Sequence, residues 1–150
     1  MANSDNSRHV RDVMTPNPET VSDKDSIRDV ARIMKDTDTG VVPVVDSGRK
    51  ILGLITDRDI VIRGLAEGKD LDSMRVNEIM TKSVRSVRED ATINDALQMM
   101  SSADIRRVAV VNQNDELVGI VSIGDISTNT NADGKVGKAI ESISEAPPNN

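Results

Sequence analysis

Apolar residues recur at helical spacing in two stretches of the chain and at strand spacing in the runs that follow each of them. Ile27, Val30, Ala31 and Met34, and later Ile93, Ala96, Leu97 and Met100, fall at i, i+3, i+4 and i+7, which predicts two amphipathic helices with one stripe toward a core. Ser26 with Asp29, and Thr92 with Asp95, mark the starts, a hydroxyl capping backbone donors and a carboxylate in the first turn. The runs Val41 to Val45 and Ile51 to Ile55, then Val108 to Val111 and Leu117 to Val121, read as two antiparallel hairpins joined by polar turns. Pro43 lacks an N–H donor and so belongs at an edge or a break in the ladder. A further helix is predicted from Thr56 to Asp59 onward and from Ser122 to Asp125 onward. Short openers, Val10 to Met14 and Val76 to Met80, precede extended stretches near Glu19 to Val21 and Arg85 to Val87. The unit is β-α-β-β-α, twice.

The two copies are in register. Val13-Met14-Thr15 returns as Ile79-Met80-Thr81, 66 residues on, and the offset holds without a gap to Ile60 and Ile126. Identical pairs include Val21 with Val87, Gly53 with Gly119 and Asp59 with Asp125. Two repeats are too few for a solenoid, so the expected fold is α+β, with two β-α-β-β-α repeats packed about a pseudo-twofold axis. The domain reading is repeat 1 over 10–70, repeat 2 over 76–127, and a linker, short helix (136–143) and disordered tail over 128–150.

Composition narrows the chemistry. The chain has 150 residues, no Phe, Tyr or Trp, and seven Met, so its core must be aliphatic with methionine as filler. Without aromatic platforms and with a net charge of -6, nucleic acid is excluded as a partner. The absence of cysteine removes disulfides, thiolate metal sites and cysteine nucleophiles. No apolar signal core or membrane-length run is present, so a soluble, cytoplasmic protein is expected, with no membrane association.

The sharpest motif is Gly53-Leu54-Ile55-Thr56-Asp57-Arg58-Asp59 and its copy Gly119-Ile120-Val121-Ser122-Ile123-Gly124-Asp125, each at a strand-to-helix junction. Backbone donors at such a junction suit phosphate, with the Thr56 or Ser122 hydroxyl as one more. Asp59 and Asp125 are placed to accept hydrogen bonds from vicinal ribose hydroxyls. The alternative is that hydroxyl and carboxylate only cap the helix; the intact second copy favours a ligand. Arg58, Arg106 and Arg107 either donate to phosphate oxygens or are solvated surface arginines. Asp57 beside Arg58 would repel phosphate, favouring a monophosphate or a polyphosphate carried with Mg2+. His9 reads as surface filler, Met99-Met100 as core, and Asp23, Asp25 and Asp29 as helix-start charge bias, so no metal site is expected.

These motifs, with Val-Val-Pro-Val-Val-Asp at 41–46 and Arg-Val-Ala-Val-Val-Asn at 107–112, resemble a tandem pair of cystathionine-β-synthase (CBS) domains, a Bateman module, over roughly Val10 to Ser127. The resemblance implies clefts that hold an adenine nucleotide, AMP, ADP or ATP, as regulatory ligand. It assigns Thr20, Val21, Val42 and Pro43 to the base of one site, beside Thr56, Arg58 and Asp59. Ser86, Val87, Val108 and Ala109 take the matching positions of a second, beside Arg107, Ser122 and Asp125, with Ala109 departing from the usual proline. It further implies a homodimer through helix faces and an output through an unidentified protein partner. With no nucleophile and base to pair, catalysis is not expected. The rival reading is a ligand-free interaction module.

Overall fold

The computed structural model describes residues 8–129; the helix expected over 136–143 and the tail lie outside them. The chain is α+β and falls into two compact units, one of Pro18–Val84 and one in which residues 8–17 join 85–129.

In the first-repeat unit, α1 (Ile27–Thr37) starts at Ser26, whose side chain accepts the Asp29 N–H, and ends at Asp38 in the left-handed region, φ 52°. The hairpin β2 (Val41–Val45) and β3 (Ile51–Thr56) follows, with Val41 opposite Thr56 and Pro43 opposite Leu54. Then come α2 (Asp57–Asp59) and a π-helical turn, Ile60–Leu65, where the Thr56 to Asp59 start predicts a plain helix. The second-repeat unit repeats the plan. Here β4 (Ser86–Arg88) and α3 (Ile93–Ala103) lead to the hairpin β5 (Arg107–Val111) and β6 (Leu117–Ser122), and then to α4 (Ile123–Asn129). Thr92 caps α3 as Ser26 caps α1, and Asp104 closes it at φ 56°. Asp is among the residues that tolerate this conformation because its short side chain bonds locally.

The openers are exchanged between the repeats. Strand β1 (Thr15–Pro16), from the start of the chain, pairs with β6, placing Thr15 opposite Ile120, and completes a four-stranded sheet in the order β1-β6-β5-β4. Its counterpart Thr81 bonds Leu54 in both directions, Leu54 N–H to Thr81 O at 2.9 Å and Thr81 N–H to Leu54 O at 2.8 Å. Both cores inherit the exchange. Val10 and Val13 pack with Val87, Ile93, Met100 and Val108. Val76 and Ile79 pack with Val21, Ile27, Met34 and Val42.

Gly53 and Gly119 permit these pairings. A Cβ at Gly53 would strike the Thr81 carbonyl oxygen, and one at Gly119 would stand 2.9 Å from the Thr15 carbonyl oxygen, so only glycine lets the opener lie against the strand.

One difference between the copies has a simple cause. Ala109 donates its N–H to Arg85 O at 3.1 Å, which extends parallel pairing into the three-residue strand β4. Pro43, at the matching position, has no N–H to give. The corresponding segment makes only an isolated bridge at Val21, whose N–H bonds Pro43 O at 3.1 Å and whose carbonyl accepts the Val45 N–H at 2.9 Å. The break in the ladder expected at this proline is therefore on the side facing Thr20 and Val21.

Candidate functional site

Each unit gathers its own set of the residues singled out from the sequence. In the first-repeat unit Val21 lies beside Pro43, and Thr56 closes β3 opposite Val41. The chain then turns into α2, anchored by Asp57 N–H to Gly40 O at 2.9 Å. In the second, Ser86 lies opposite Ala109 and Ser122 opposite Arg107, and Ile123 N–H bonds Arg106 O at 2.9 Å, the same bond 66 residues on.

Strand alternation sorts these side chains by face. Val21 and Val42 belong to the core of one unit, Val87 and Val108 to that of the other, so what these four can offer a base is backbone. Pro43 and Ala109, one residue on, present the opposite face of the hairpin. Thr20 is half-buried and Ser86 exposed.

At both junctions the hydroxyl and the carboxylate bond each other's backbone. Asp59 N–H donates to Thr56 Oγ1 at 3.0 Å and Thr56 N–H to Asp59 Oδ2 at 3.0 Å. Asp125 N–H donates to Ser122 Oγ at 3.0 Å and Ser122 N–H to Asp125 Oδ2 at 2.9 Å. These are reciprocal caps, and each leaves carboxylate lone pairs over.

The surroundings of the two carboxylates differ. Asp59 is 1% exposed and also receives the Thr81 hydroxyl at 3.3 Å from Oδ2, while Arg63 Nε stands 3.8 Å from its Oδ1. Asp125 is half-buried. At the first junction Asp57 Oδ1 accepts the Arg58 N–H at 2.8 Å, so the donor at which phosphate was expected already holds a carboxylate, and the Arg58 side chain is exposed. At the second, Ile123 replaces that aspartate, and the Gly124 N–H bonds no group among the described residues. Half-buried Arg107 opens β5 and exposed Arg106 precedes it, where the first copy has Val41 and Gly40.

Sequence reading passed over Arg63 and Thr81. The signal for Arg63 was present as a carboxylate and a cation at i, i+4 on one helix face. For Thr81 there was none, because it meets Asp59 only through the exchanged opener. An open hollow beside Arg85 on the outer side of α3, lined by Asp95, Gln98 and Met99, shares none of the candidate residues. Among the described residues no three His, Cys, Asp or Glu side chains come together as a metal would require, and no helix is long and apolar enough to cross a membrane.

Comparison with known proteins places this geometry. The family profile described as the CBS domain matches residues 10–65 and 76–129. The chain is 37% identical over 137 residues to the protein YlbB of Bacillus subtilis (strain 168), covering 91% of each. It superposes on the crystal structure of Hypoxic Response Protein I with two coordinated zinc ions at a TM-score of 0.74, with 31% identity over 82% of this chain and 99% of that one. It also superposes on the CBS domain pair of protein MJ0100 in complex with 5′-methylthioadenosine and S-adenosyl-L-methionine at a TM-score of 0.70, with 33% identity over 80% of this chain and 93% of that one.

Proposed function

The chain belongs to the CBS domain family, and from that membership we propose that it is a non-enzymatic, cytoplasmic regulatory module that binds adenosine nucleotides and signals energy or stress state to a protein partner. The observation that carries this reading is the duplicated junction: hydroxyl, carboxylate and the backbone bond anchoring the helix recur 66 residues apart in both units. Asp59 and Asp125 take the ribose hydroxyls, and the backbone about Thr20, Pro43, Ser86 and Ala109 meets the base. Of the cations, Arg106 and Arg107 suit phosphate best, because no carboxylate replaces Asp57 beside them. The MJ0100 domain pair, bound to two adenosine compounds, supports a ligand of this class.

AMP, ADP or ATP, the last with Mg2+, is expected to stabilise the folded chain, as is S-adenosyl-L-methionine if the ligand is nearer that of the MJ0100 pair. A ligand that binds only the folded chain adds about 2.7 kcal/mol at 100 times its dissociation constant, a melting shift of roughly 5 to 10 °C. Adenine without ribose should give no shift. If none of these compounds produces a shift or a heat of binding, the sensor reading fails. The ligand-free interaction module then takes its place, a reading favoured by the way each hydroxyl and carboxylate already satisfies the other.

The module is a homodimer in this reading. Val61, Ile62 and Leu65 on the π-helical turn are 49%, 47% and 61% exposed, apolar surface that a second copy would cover. Sedimentation at micromolar concentration should find twice the chain mass, and a monomer there would rule the dimer out.

A further inference from the structure

The two base positions differ in one backbone acceptor. In the second-repeat unit Ala109 N–H holds the Arg85 carbonyl at 3.1 Å, and Ser86, the next residue, lies opposite Ala109 in the ladder. No purine edge enters between a donor and an acceptor that close. In the first-repeat unit the matching carbonyl belongs to Glu19, 66 residues before Arg85, and Pro43 has no N–H with which to hold it. Glu19 is exposed, and its carbonyl accepts no hydrogen bond among the described residues. The segment nevertheless stays at the hairpin. Two residues on, Val21 is bonded to it twice, its N–H to Pro43 O at 3.1 Å and its carbonyl to the Val45 N–H at 2.9 Å.

A backbone carbonyl can only accept, so one without a donor beside a base selects for a base that brings a donor. Adenine brings one at position 6, the exocyclic amine, where guanine carries an acceptor oxygen.

We propose that Pro43 makes the first site selective for a 6-aminopurine by leaving the Glu19 carbonyl to the exocyclic amine. The second site, where Ala109 keeps the Arg85 carbonyl in the sheet, lacks this selection. The inference rests on the reading that places the base beside Thr20 and Pro43 in one unit and beside Ser86 and Ala109 in the other. Pro43 acts in it as a positioning residue.

Calorimetric titration of the full chain with AMP and with purine riboside 5′-monophosphate, which is AMP without its 6-amino group, tests the assignment. In an Asp125→Ala background, which leaves only the first site, AMP should bind about three- to tenfold more tightly than the probe, the worth of one hydrogen bond exchanged with solvent. Adding Pro43→Ala, which restores the donor that Ala109 supplies in the second copy, should lower AMP to the affinity of the probe and leave the probe unchanged. Equal binding in Asp125→Ala, a preference that survives Pro43→Ala, or loss of both ligands alike overturns the proposal. With Asp59→Asn disabling the first site instead, the two ligands should bind alike, and a preference of the same size there overturns the assignment to Glu19. There is a readout without ligand as well: in Pro43→Ala the amide at position 43 should exchange its hydrogen at least several-fold more slowly than an open amide, and an unprotected one shows that the Glu19 carbonyl is out of reach and overturns the proposal. Binding of AMP and the probe without preference refutes this selection and leaves the sensor reading standing. If neither they, ATP nor S-adenosyl-L-methionine binds, the sensor reading and the selection fall together.

Discussion

Val10→Asp is expected to unfold the unit built on the second repeat while leaving the hairpin of the first intact. Val10 has no exposed surface and packs against Val87, Ile93, Ala96 and Val108, with its N–H bonded to Ala91 O at 2.9 Å. A carboxylate there has no partner and costs roughly 4 kcal/mol or more, a large part of the 5 to 15 kcal/mol that holds a typical domain. Val10→Ala, which only removes two methyl groups, should cost about 2 kcal/mol. Hydrogen exchange read by mass spectrometry distinguishes the units: amides of β5 and β6 should lose protection, while those of β2 and β3 keep it. Val76→Asp should give the reverse pattern. Loss of protection confined to 18–84 in Val10→Asp would show that the opener completes the repeat it precedes, and the exchange would be refuted.

The two junction aspartates should separate ligand binding from stability. Asp125→Ala is expected to weaken the adenosine ligand about 10- to 100-fold, since a carboxylate holding ribose hydroxyls makes charged hydrogen bonds worth about 1.5 to 3 kcal/mol. Its ligand-free stability should fall by only about 1 kcal/mol, the value of a lost cap. Asp59→Ala should behave the other way. Its carboxylate is buried with a backbone donor, the Thr81 hydroxyl and Arg63 about it, and removing it strands those donors at a cost of about 2 to 4 kcal/mol. The sequence pattern alone, with Pro43 and Arg58 near Thr56, points to the first site as the stronger binder. The burial of Asp59 reverses that expectation. Urea denaturation of each variant gives the stability change and calorimetry the affinity; Asp125→Ala with undiminished affinity would remove the second site from the binding account.

Chemistry within a few residues specifies the local elements. The stripe from Ile27 to Met34 requires a helix, Ser26 and Thr92 start the helices at which they stand, and the runs around Pro43 and Ala109 form hairpins because each pairs with its neighbour across a short polar turn. The 66-residue offset carries every such local decision into the second copy. The family resemblance was equally legible, resting as it does on short motifs.

Which opener completes which core is settled only when distant parts of the chain meet. Val13-Met14-Thr15 and Ile79-Met80-Thr81 are nearly the same, and Gly53 and Gly119 offer the same bare strand, so local chemistry lets either opener pair with either hairpin. The observed exchange brings Thr81 to Asp59 and Thr15 to Ile120, contacts across 22 and 105 positions of chain that no periodicity encodes. The same holds for the asymmetry of the two junctions. Asp59 and Asp125 occupy matching places in identical spacing, yet the first, with Thr81 and Arg63 beside it, is buried where the other is half-buried. Burial is a property of everything that surrounds a group, and the residues around Asp59 come from parts of the chain that meet only when it folds.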